Sequence, residues 1–370
     1  MIFEVSNAKL KQNFNPRRFG IHAQKVHIFG APQSGKTSIA LNFARGFKNP
    51  LYMDFADLRN TDELIRQTLL KSAFEKKADL LILDNVPSDF NAHLGNFHSV
   101  IAISQAKMAD FGANLTDSRA NRVDSGVNRG ADSSADFVPL EILPLNFEEF
   151  ISFDSQNLNL NELFERFIKF GNLPFVLSLR DWQKLEAKQK MLISTLGQDM
   201  DIFLTLLRFQ SSAVSVFQLY NILKKDGKMS KDRIYSVVSD FAKRGILRGA
   251  RHLTKPKAPK KAYFFDFSVK SAVSYERNFM ASFENMVFLE ILGRKGASSS
   301  IFYSDKIPLI CDNQCFFLMP FKSKEVIAET LKNVDFMGFA PSVITIDLND
   351  EIKVGGKKIP LVSFINFALD

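Results

Sequence analysis

Short apolar runs alternate with longer amphipathic stretches over the first 144 residues of this 370-residue chain. The runs predict strands, and the four aliphatic residues before Asp84 are typical of a strand buried on both faces in a parallel sheet. Between these runs, the apolar residues of 37–45 and 61–77 are spaced as in an amphipathic helix, which predicts two helices. The predicted strands are 25–29, 50–55, 78–85, 98–104 and 137–143. This alternation predicts an α/β fold built on a parallel sheet.

The pattern changes twice after residue 144. Residues 145–198 have a helical pattern that Gly171 and Pro174 interrupt. Residues 199–270 predict three helices followed by two strands, which is the order of elements in a winged helix. The predicted helices are 199–209, 214–225 and 230–243, and the strands are 246–253 and 262–267. Residues 271–370 predict a second α/β unit, so we expect domain boundaries at 144, 198 and 270.

Composition narrows the class of protein. The only two cysteines, Cys311 and Cys315, exclude a disulfide framework, and we expect reduced thiols there rather than a metal site. No apolar run reaches the roughly 18 residues that a membrane span requires. The N-terminus lacks the basic and apolar regions of a signal peptide. We therefore expect a cytoplasmic protein that has no membrane partner.

The segment after the first predicted strand, residues 30–37, reads Gly-Ala-Pro-Gln-Ser-Gly-Lys-Thr and fits the phosphate-loop pattern. Its glycines let the backbone turn tightly, so that amides point at phosphate oxygens. Lys36 is placed to reach the β- and γ-phosphates, and the Thr37 hydroxyl to bind Mg²⁺. We predict ATP and Mg²⁺ as cofactors. The predicted nucleotide-binding residues are Gly30, Ala31, Pro32, Gln33, Ser34, Gly35, Lys36, Thr37 and Ser38.

Polar residues follow two other predicted strands, at the sheet edge where α/β proteins bind ligands. Asp84 is predicted to hold Mg²⁺ opposite Thr37. Ser104 or Gln105 is placed to sense the γ-phosphate or orient water, although a plain strand end explains them equally well. The predicted catalytic residues are Lys36, Asp84, Asn85 and Ser104. Three arginines of the polar segment 112–136 are candidates for a charge-neutralising finger, although each taken singly is better explained as a solvated charge: Arg119, Arg122 and Arg129.

Basic charge is concentrated in the predicted winged helix. Residues 224–261 contain thirteen Lys or Arg and three acids, a net charge of +10, whereas the rest of the chain carries −2. Such a patch favours a polyanion, and a winged helix would contact DNA with its third helix and its hairpin. A protein partner with solvated lysines is the alternative. The predicted DNA contacts are Lys231, Arg233, Lys243, Lys255, Lys257, Lys260 and Lys261.

Six segments, taken in order, resemble the bacterial and archaeal AAA-type ATPases that carry a C-terminal restriction-endonuclease-like domain. They are the phosphate loop, LLILD ending at Asp84, LPLNFEEF at 143–150, KFGNLPFVL at 169–177, KKAYFFDFSV at 260–269 and FENMVFLEIL at 283–292. The loop is specific, and the other segments are informative through their order. The resemblance implies a P-loop ATPase core of the AAA type over 1–144, a helical lid over 145–198, a winged helix over 199–270 and an endonuclease-like α/β domain over 271–370.

Two departures from that family bear on activity. The acid that usually follows the strand-terminating Asp and orients the attacking water is Asn85 here, so hydrolysis would be slow or use another acid such as Asp89. The last domain keeps Glu284 but lacks the strand carboxylates of a nuclease site, so we expect a degenerate domain that does not cut DNA.

These observations together predict a Mg²⁺-dependent ATPase whose nucleotide state controls DNA binding, either as a monomer or as an oligomer. The alternative, favoured by Asn85, is a scaffold or switch that binds nucleotide without hydrolysing it and engages a protein partner.

Overall fold

A computed structural model of the chain describes residues 3–4, 15, 17–60, 62–90, 94, 97–107, 137–225 and 229–370. The candidate finger residues Arg119, Arg122 and Arg129 lie outside these ranges. The chain divides into two compact units, residues 1–142 and 143–370.

The first unit is an α/β fold with five parallel strands, as the sequence predicted. Its strands are β1 (Phe3–Glu4), β2 (Lys25–Phe29), β3 (Pro50–Asp54), β4 (Leu80–Asp84), β5 (Val100–Ile103) and β6 (Val138–Glu141), and its helices are α1 (Lys36–Ala44) and α2 (Glu63–Glu75). The order across the sheet is β1–β3–β4–β5–β2–β6, and β1 alone is antiparallel to its neighbour.

Strand β4 lies at the centre of two apolar layers. Leu81 and Leu83 pack into a cluster on one face of the sheet, and Leu80 and Ile82 pack into the cluster on the other face. All four side chains are fully buried. Alternate residues of a strand point to opposite faces, so an unbroken aliphatic run is what a strand covered on both faces requires.

The strand order decides which polar residues meet. Strand β5 lies between β4 and β2, and all three are parallel. Their carboxyl ends therefore meet at one edge of the sheet, where residues 30–35 follow β2, Asp84 ends β4 and Ser104 follows β5.

The second unit combines a run of helices with a mixed sheet. Its helices are α3 (Phe147–Ser152), α4 (Leu160–Phe170), α5 (Pro174–Leu177), α6 (Asp181–Leu196), α7 (Met200–Leu207), α8 (Val216–Leu223), α9 (Lys231–Lys243), α10 (Val269–Val273), α11 (Phe279–Lys295), α12 (Lys324–Leu331) and α13 (Phe364–Leu369). Its strands are β7 (Ala213–Val214), β8 (Leu247–His252), β9 (Lys260–Phe264), β10 (Ile301–Tyr303), β11 (Leu309–Cys311), β12 (Gln314–Leu318), β13 (Ala340–Thr345), β14 (Asp350–Val354) and β15 (Lys357–Ser363). They form one sheet in the order β14–β15–β13–β12–β11–β10–β8–β9–β7.

The three predicted helices at 199–243 are confirmed as α7, α8 and α9, with slightly shorter ends, and Ser230 caps α9 through the backbone N–H of Arg233. The predicted bounds of the strand 262–267 are wrong: the strand begins two residues earlier and ends three residues earlier. Strand β9 starts at Lys260 because Lys260 and Lys261 pair with β7, and Lys261 also pairs with β8. We call α7–α9 with β8 and β9 the helix–hairpin segment.

Three of the segments that carried the family resemblance serve the packing of this unit. Phe147 of α3 lies among phenylalanines of α4 and α13. Lys188, which is buried, donates hydrogen bonds to the Phe170 carbonyl, the Asp266 carboxylate and the Ser268 hydroxyl. Gly171 has a φ of 76°, and a Cβ there would lie 2.1 Å from Asp266 Oδ1, so this position requires glycine.

Within the described residues, no helix combines the length and the apolar character that crossing a membrane demands.

Candidate functional site

The loop of residues 30–35 turns on two left-handed glycines. Gly30 has a φ of 131° and Gly35 a φ of 92°. A Cβ on Gly30 would lie 2.4 Å from the Ile142 carbonyl oxygen, so the loop passes close against the chain after β6. Gly35 is the N-cap of α1 and offers no side chain, so no side-chain cap closes the first turn of this helix. The first backbone N–H groups of α1 are therefore available to bind an anion, and the helix dipole also favours an anion at this end.

Two basic side chains bind the carbonyl groups of this loop. Lys36 donates from Nζ to the carbonyls of Gly30 at 2.9 Å and Ala31 at 2.8 Å. Arg17 donates to the carbonyl of Ser34 at 2.6 Å. The Ser34 side chain is fully buried, and its hydroxyl has no hydrogen-bond partner in the described part of the chain. The pattern of the loop did not predict Arg17, because this residue reaches the loop from outside the motif.

Thr37 and Asp84, for which the sequence predicted Mg²⁺ binding, are in direct contact. Thr37 Oγ1 donates to Asp84 Oδ2 at 2.7 Å, and Tyr52 Oη donates to the same oxygen at 2.8 Å. The backbone N–H of Asn85 binds the other oxygen at 2.8 Å. Burial, together with the charge and the hydrogen bond of Asp84, raises the pKa of Tyr52, so this phenol remains a donor. Asp84 is therefore a buried carboxylate held by neutral groups.

Asn85 turns toward the neighbouring strand. Its φ is 54°, and its Nδ2 donates to Asp54 Oδ1 at 2.8 Å. Asp54 ends β3 directly opposite Asp84 in the register of β3 and β4. The backbone N–H of Ala56 donates to the same Asp54 oxygen at 2.8 Å. The sequence did not single out Asp54 as a site residue, and only the sheet register brings it beside Asn85.

Ser104 is buried and already has two partners. Its hydroxyl donates to the Ala106 carbonyl at 2.6 Å and lies 2.8 Å from His27 Nε2. Since the hydroxyl hydrogen is given to Ala106, His27 is the donor in the second bond. Burial, with the charge of Lys107, lowers the pKa of His27 from 6.5 to about 4, so the ring stays neutral. Gln105, next to Ser104, is exposed.

The predicted DNA-contacting residues fall into two groups in the helix–hairpin segment. Some lysines already have partners: Lys231 lies over the rings of Phe217 and Tyr220, Lys255 pairs with Asp305, and Lys261 pairs with Glu284. Arg233 pairs with Asp199. The remaining three are exposed and have no ion pair within the described residues: Lys243, Lys257 and Lys260.

Two exposed aromatic side chains lie on helices of the same helix–hairpin segment. Phe217 of α8 is 56% exposed, and Tyr235 of α9 is 58% exposed. A basic surface with exposed aromatic rings is a common combination in nucleic-acid-binding proteins.

Glu284 is held by a cation. Lys261 Nζ lies 2.8 Å from its Oε1, and Tyr263 Oη donates to the same oxygen at 2.7 Å. Both ion-pair side chains are only 16% exposed. The Lys261 ammonium therefore already offsets the charge that Glu284 would offer to a metal ion.

No family model matches the chain. Among curated proteins, the chain is similar to an uncharacterized protein of Methanocaldococcus jannaschii, MJ1544. The two are 26% identical over 318 residues, a match that covers 75% of this chain and 68% of that protein. The name of that relative states no activity, so what the chain does must be argued from its own residues.

Proposed function

We propose that this protein is a P-loop ATPase of the AAA type that binds ATP with Mg²⁺ at residues 30–38 and hydrolyses it. The observation that carries the proposal is the hydrogen bond between Thr37 and Asp84, from the start of α1 to the end of β4. In P-loop ATPases these two positions supply the hydroxyl and the carboxylate that hold Mg²⁺.

The donor set fits a magnesium ion. Mg²⁺ prefers oxygen ligands and is commonly held by one or two carboxylates together with substrate phosphates. The Thr37 hydroxyl and the Asp84 carboxylate supply such oxygens, and no cation competes for Asp84 in the described residues. Bound Mg²⁺ would neutralise the charge that develops on the phosphates during their transfer.

The loop and the residues around it would bind the phosphates and orient the groups that hold Mg²⁺. The first amides of α1 and the Lys36 ammonium would bind phosphate oxygens, for which Lys36 would exchange its loop carbonyls for the nucleotide. Arg17 would steady the loop through the Ser34 carbonyl. Tyr52 would orient Asp84 through its hydroxyl. Gln105, which is exposed, suits γ-phosphate sensing better than Ser104, whose hydrogen is committed to Ala106.

Titration of the protein with Mg·ATP tests the site. Wild type is expected to bind in a Mg²⁺-dependent way, and Lys36→Ala to bind at least about tenfold more weakly, because the variant cannot make a charge-assisted hydrogen bond to phosphate. Equal affinity of the two proteins would show that the nucleotide, if bound, is bound elsewhere.

The helix–hairpin segment is proposed to be a winged helix that binds DNA. Support comes from the net charge of +10 over residues 224–261 and from Lys243, Lys257 and Lys260, which are exposed and have no ion pair in the described part of the chain. Binding through phosphates predicts a steep fall in affinity as salt concentration rises. An interaction that does not change with salt would exclude this mode of binding.

Two other functions make different predictions. A scaffold that binds nucleotide without hydrolysis is favoured by Asn85, whose amide accepts no proton, and it predicts ATP binding without turnover. The paired Lys261 and Glu284 argue against a nuclease. A nuclease would nick DNA with Mg²⁺ and lose that activity in Glu284→Ala.

A further inference from the structure

The structure points to a substitute for the missing acid at position 85, and we propose that Asp54 is the catalytic base of the reaction proposed above. The inference rests on that proposed function. An amide at position 85 can orient a water molecule but cannot take its proton. A carboxylate must therefore lie within reach of the same water if hydrolysis proceeds by general-base catalysis.

The position of Asp54 follows from the sheet. Strands β3 and β4 are parallel neighbours in which Asp54 lies opposite Asp84, and Asn85 is the next residue after β4. The hydrogen bond from Asn85 Nδ2 to Asp54 Oδ1 joins the two side chains at 2.8 Å. The carboxylate thus belongs to the same edge of the sheet as the Thr37–Asp84 pair.

The hydrogen bonds leave one carboxylate oxygen of Asp54 available. Oδ1 accepts from both Asn85 Nδ2 and the Ala56 N–H, which fixes the carboxylate plane. Oδ2 has no hydrogen-bond partner within the described chain, and the side chain is partly exposed. The Asn85 amide donates to Asp54 through Nδ2, so its amide oxygen remains an acceptor. Asp54 Oδ2 and the Asn85 amide oxygen together offer two acceptors for one water.

The chemical step balances with these groups. The water oxygen forms a bond to the γ-phosphorus, and the bond from that phosphorus to the bridging oxygen of the β-phosphate breaks. ADP leaves with the electron pair of the broken bond. One water proton passes to Asp54 Oδ2 and is later released to solvent, which restores the carboxylate.

Asp54→Asn is the primary test, because it keeps the shape of the side chain and removes its basicity. We expect kcat for Mg·ATP to fall about 10²–10⁴-fold, while the Kd for Mg·ATP stays within about twofold of wild type. Asp57→Asn is the matched control, since Asp57 lies three residues further along and pairs with Arg59, and we expect it to leave kcat unchanged.

A second pair of variants tests the same point from Asn85. Asn85→Ala removes the hydrogen bond that orients Asp54 and should lower kcat about tenfold. Asn85→Glu, added to Asp54→Asn, should restore turnover, because it supplies a carboxylate directly after Asp84.

The outcomes separate this inference from the proposed function. Wild-type turnover that depends on Lys36 but is unchanged in Asp54→Asn would overturn the role of Asp54 and leave the ATPase standing. Loss of turnover in Asp89→Asn, with Asp54→Asn fully active, would assign the base to Asp89 instead. No turnover by wild type above that of Lys36→Ala would overturn both.

Discussion

Asp84 and Glu284 are both carboxylates that the sequence marked as possible metal ligands, and their surroundings differ in charge. Asp84 accepts hydrogen bonds from Thr37, Tyr52 and a backbone amide, all of them neutral. Glu284 accepts from the phenol of Tyr263 and from the Lys261 ammonium. Within the described residues no cation offsets the charge of the first carboxylate, whereas Lys261 offsets the charge of the second.

The difference shows how a metal-competent carboxylate can be recognised from its partners. A magnesium ion at Asp84 would displace neutral donors, which costs their hydrogen bonds alone. A magnesium ion at Glu284 would also have to approach an ammonium, or expel it from a site where both side chains are largely buried. The sequence indicated the loss of nuclease ligands around Glu284, and the structure adds that a lysine occupies the place beside it.

Exchanging each carboxylate for its amide gives the sharpest contrast and the largest expected effect. Asp84→Asn should lower Mg²⁺-dependent ATP turnover about 10³-fold, since the ion loses its charged ligand at a cost of several kcal/mol. Glu284→Gln should leave turnover within about twofold of wild type. Turnover measured against Mg²⁺ concentration in both variants provides the test, and equal losses would contradict the distinction between the two carboxylates.

His27, which contacts Ser104 at the same edge of the sheet, predicts a pH effect on stability. Its pKa is about 4 in the folded protein and 6.5 ordinarily. Above pH 6.5 the ring is neutral in both states, and between pH 6.5 and 4 only the unfolded chain gains the proton. The free energy of unfolding should therefore fall by up to about 3 kcal/mol over this window from this group.

Urea unfolding at pH 7 and at pH 4.5 measures this contribution. His27→Gln should show a clearly smaller loss between the two pH values than wild type, whereas His98→Gln, at an exposed position, serves as the control. A loss as large in His27→Gln as in wild type would rule out His27 as its source.

Removing the Lys261 ammonium beside Glu284 should lower the stability of the protein rather than its activity. Lys261→Met leaves the largely buried Glu284 with Tyr263 as its partner, and we expect a loss of about 1–3 kcal/mol in the free energy of unfolding. The double variant Lys261→Met with Glu284→Gln should recover most of this loss, because no uncompensated charge remains. Urea unfolding of the single and double variants completes the cycle, and strict additivity would mean that the two side chains do not interact.

The smallest expected effect concerns the exposed lysines of the hairpin. Changing Lys257 and Lys260 together to Ala should weaken DNA binding and reduce the slope of log affinity against log salt by about 1–2, because each lysine that binds a phosphate contributes about one unit to this slope. Lys353→Ala, which removes an equally exposed lysine on β14, should change neither quantity. Fluorescence anisotropy with a short duplex at several salt concentrations measures both, and an equal effect of the control would point to net charge alone.

Local patterns predicted the five parallel strands of the first unit and the three helices at 199–243, and they placed Asp84 opposite Thr37. They succeeded because an aliphatic strand such as β4 and a glycine loop before a helix are determined by neighbouring residues. Strand β14 was not predicted from the sequence. Its polar sequence leaves only Ile352 and Val354 buried, and it forms because it pairs with β15.

Contacts between distant residues account for what the sequence could not indicate. Tyr52 and Asp54 reach the site only because β3 lies beside β4, and Arg17 reaches Ser34 from outside the loop. Lys188 lies 78 residues from Asp266, and neither residue type nor spacing marks them as a buried pair. Patterns of local sequence contain no information on strand order or on such partners.

Steady-state turnover of ATP with Mg²⁺, in wild type and Lys36→Ala, is the most direct test of ATP hydrolysis at this phosphate loop. We expect turnover in wild type that requires Mg²⁺ and falls to background in Lys36→Ala, because the amides of the loop alone cannot neutralise the γ-phosphate. Turnover of the same size in Lys36→Ala, or none above background in wild type that binds Mg·ATP, would contradict it, and the second result would leave a nucleotide-binding scaffold.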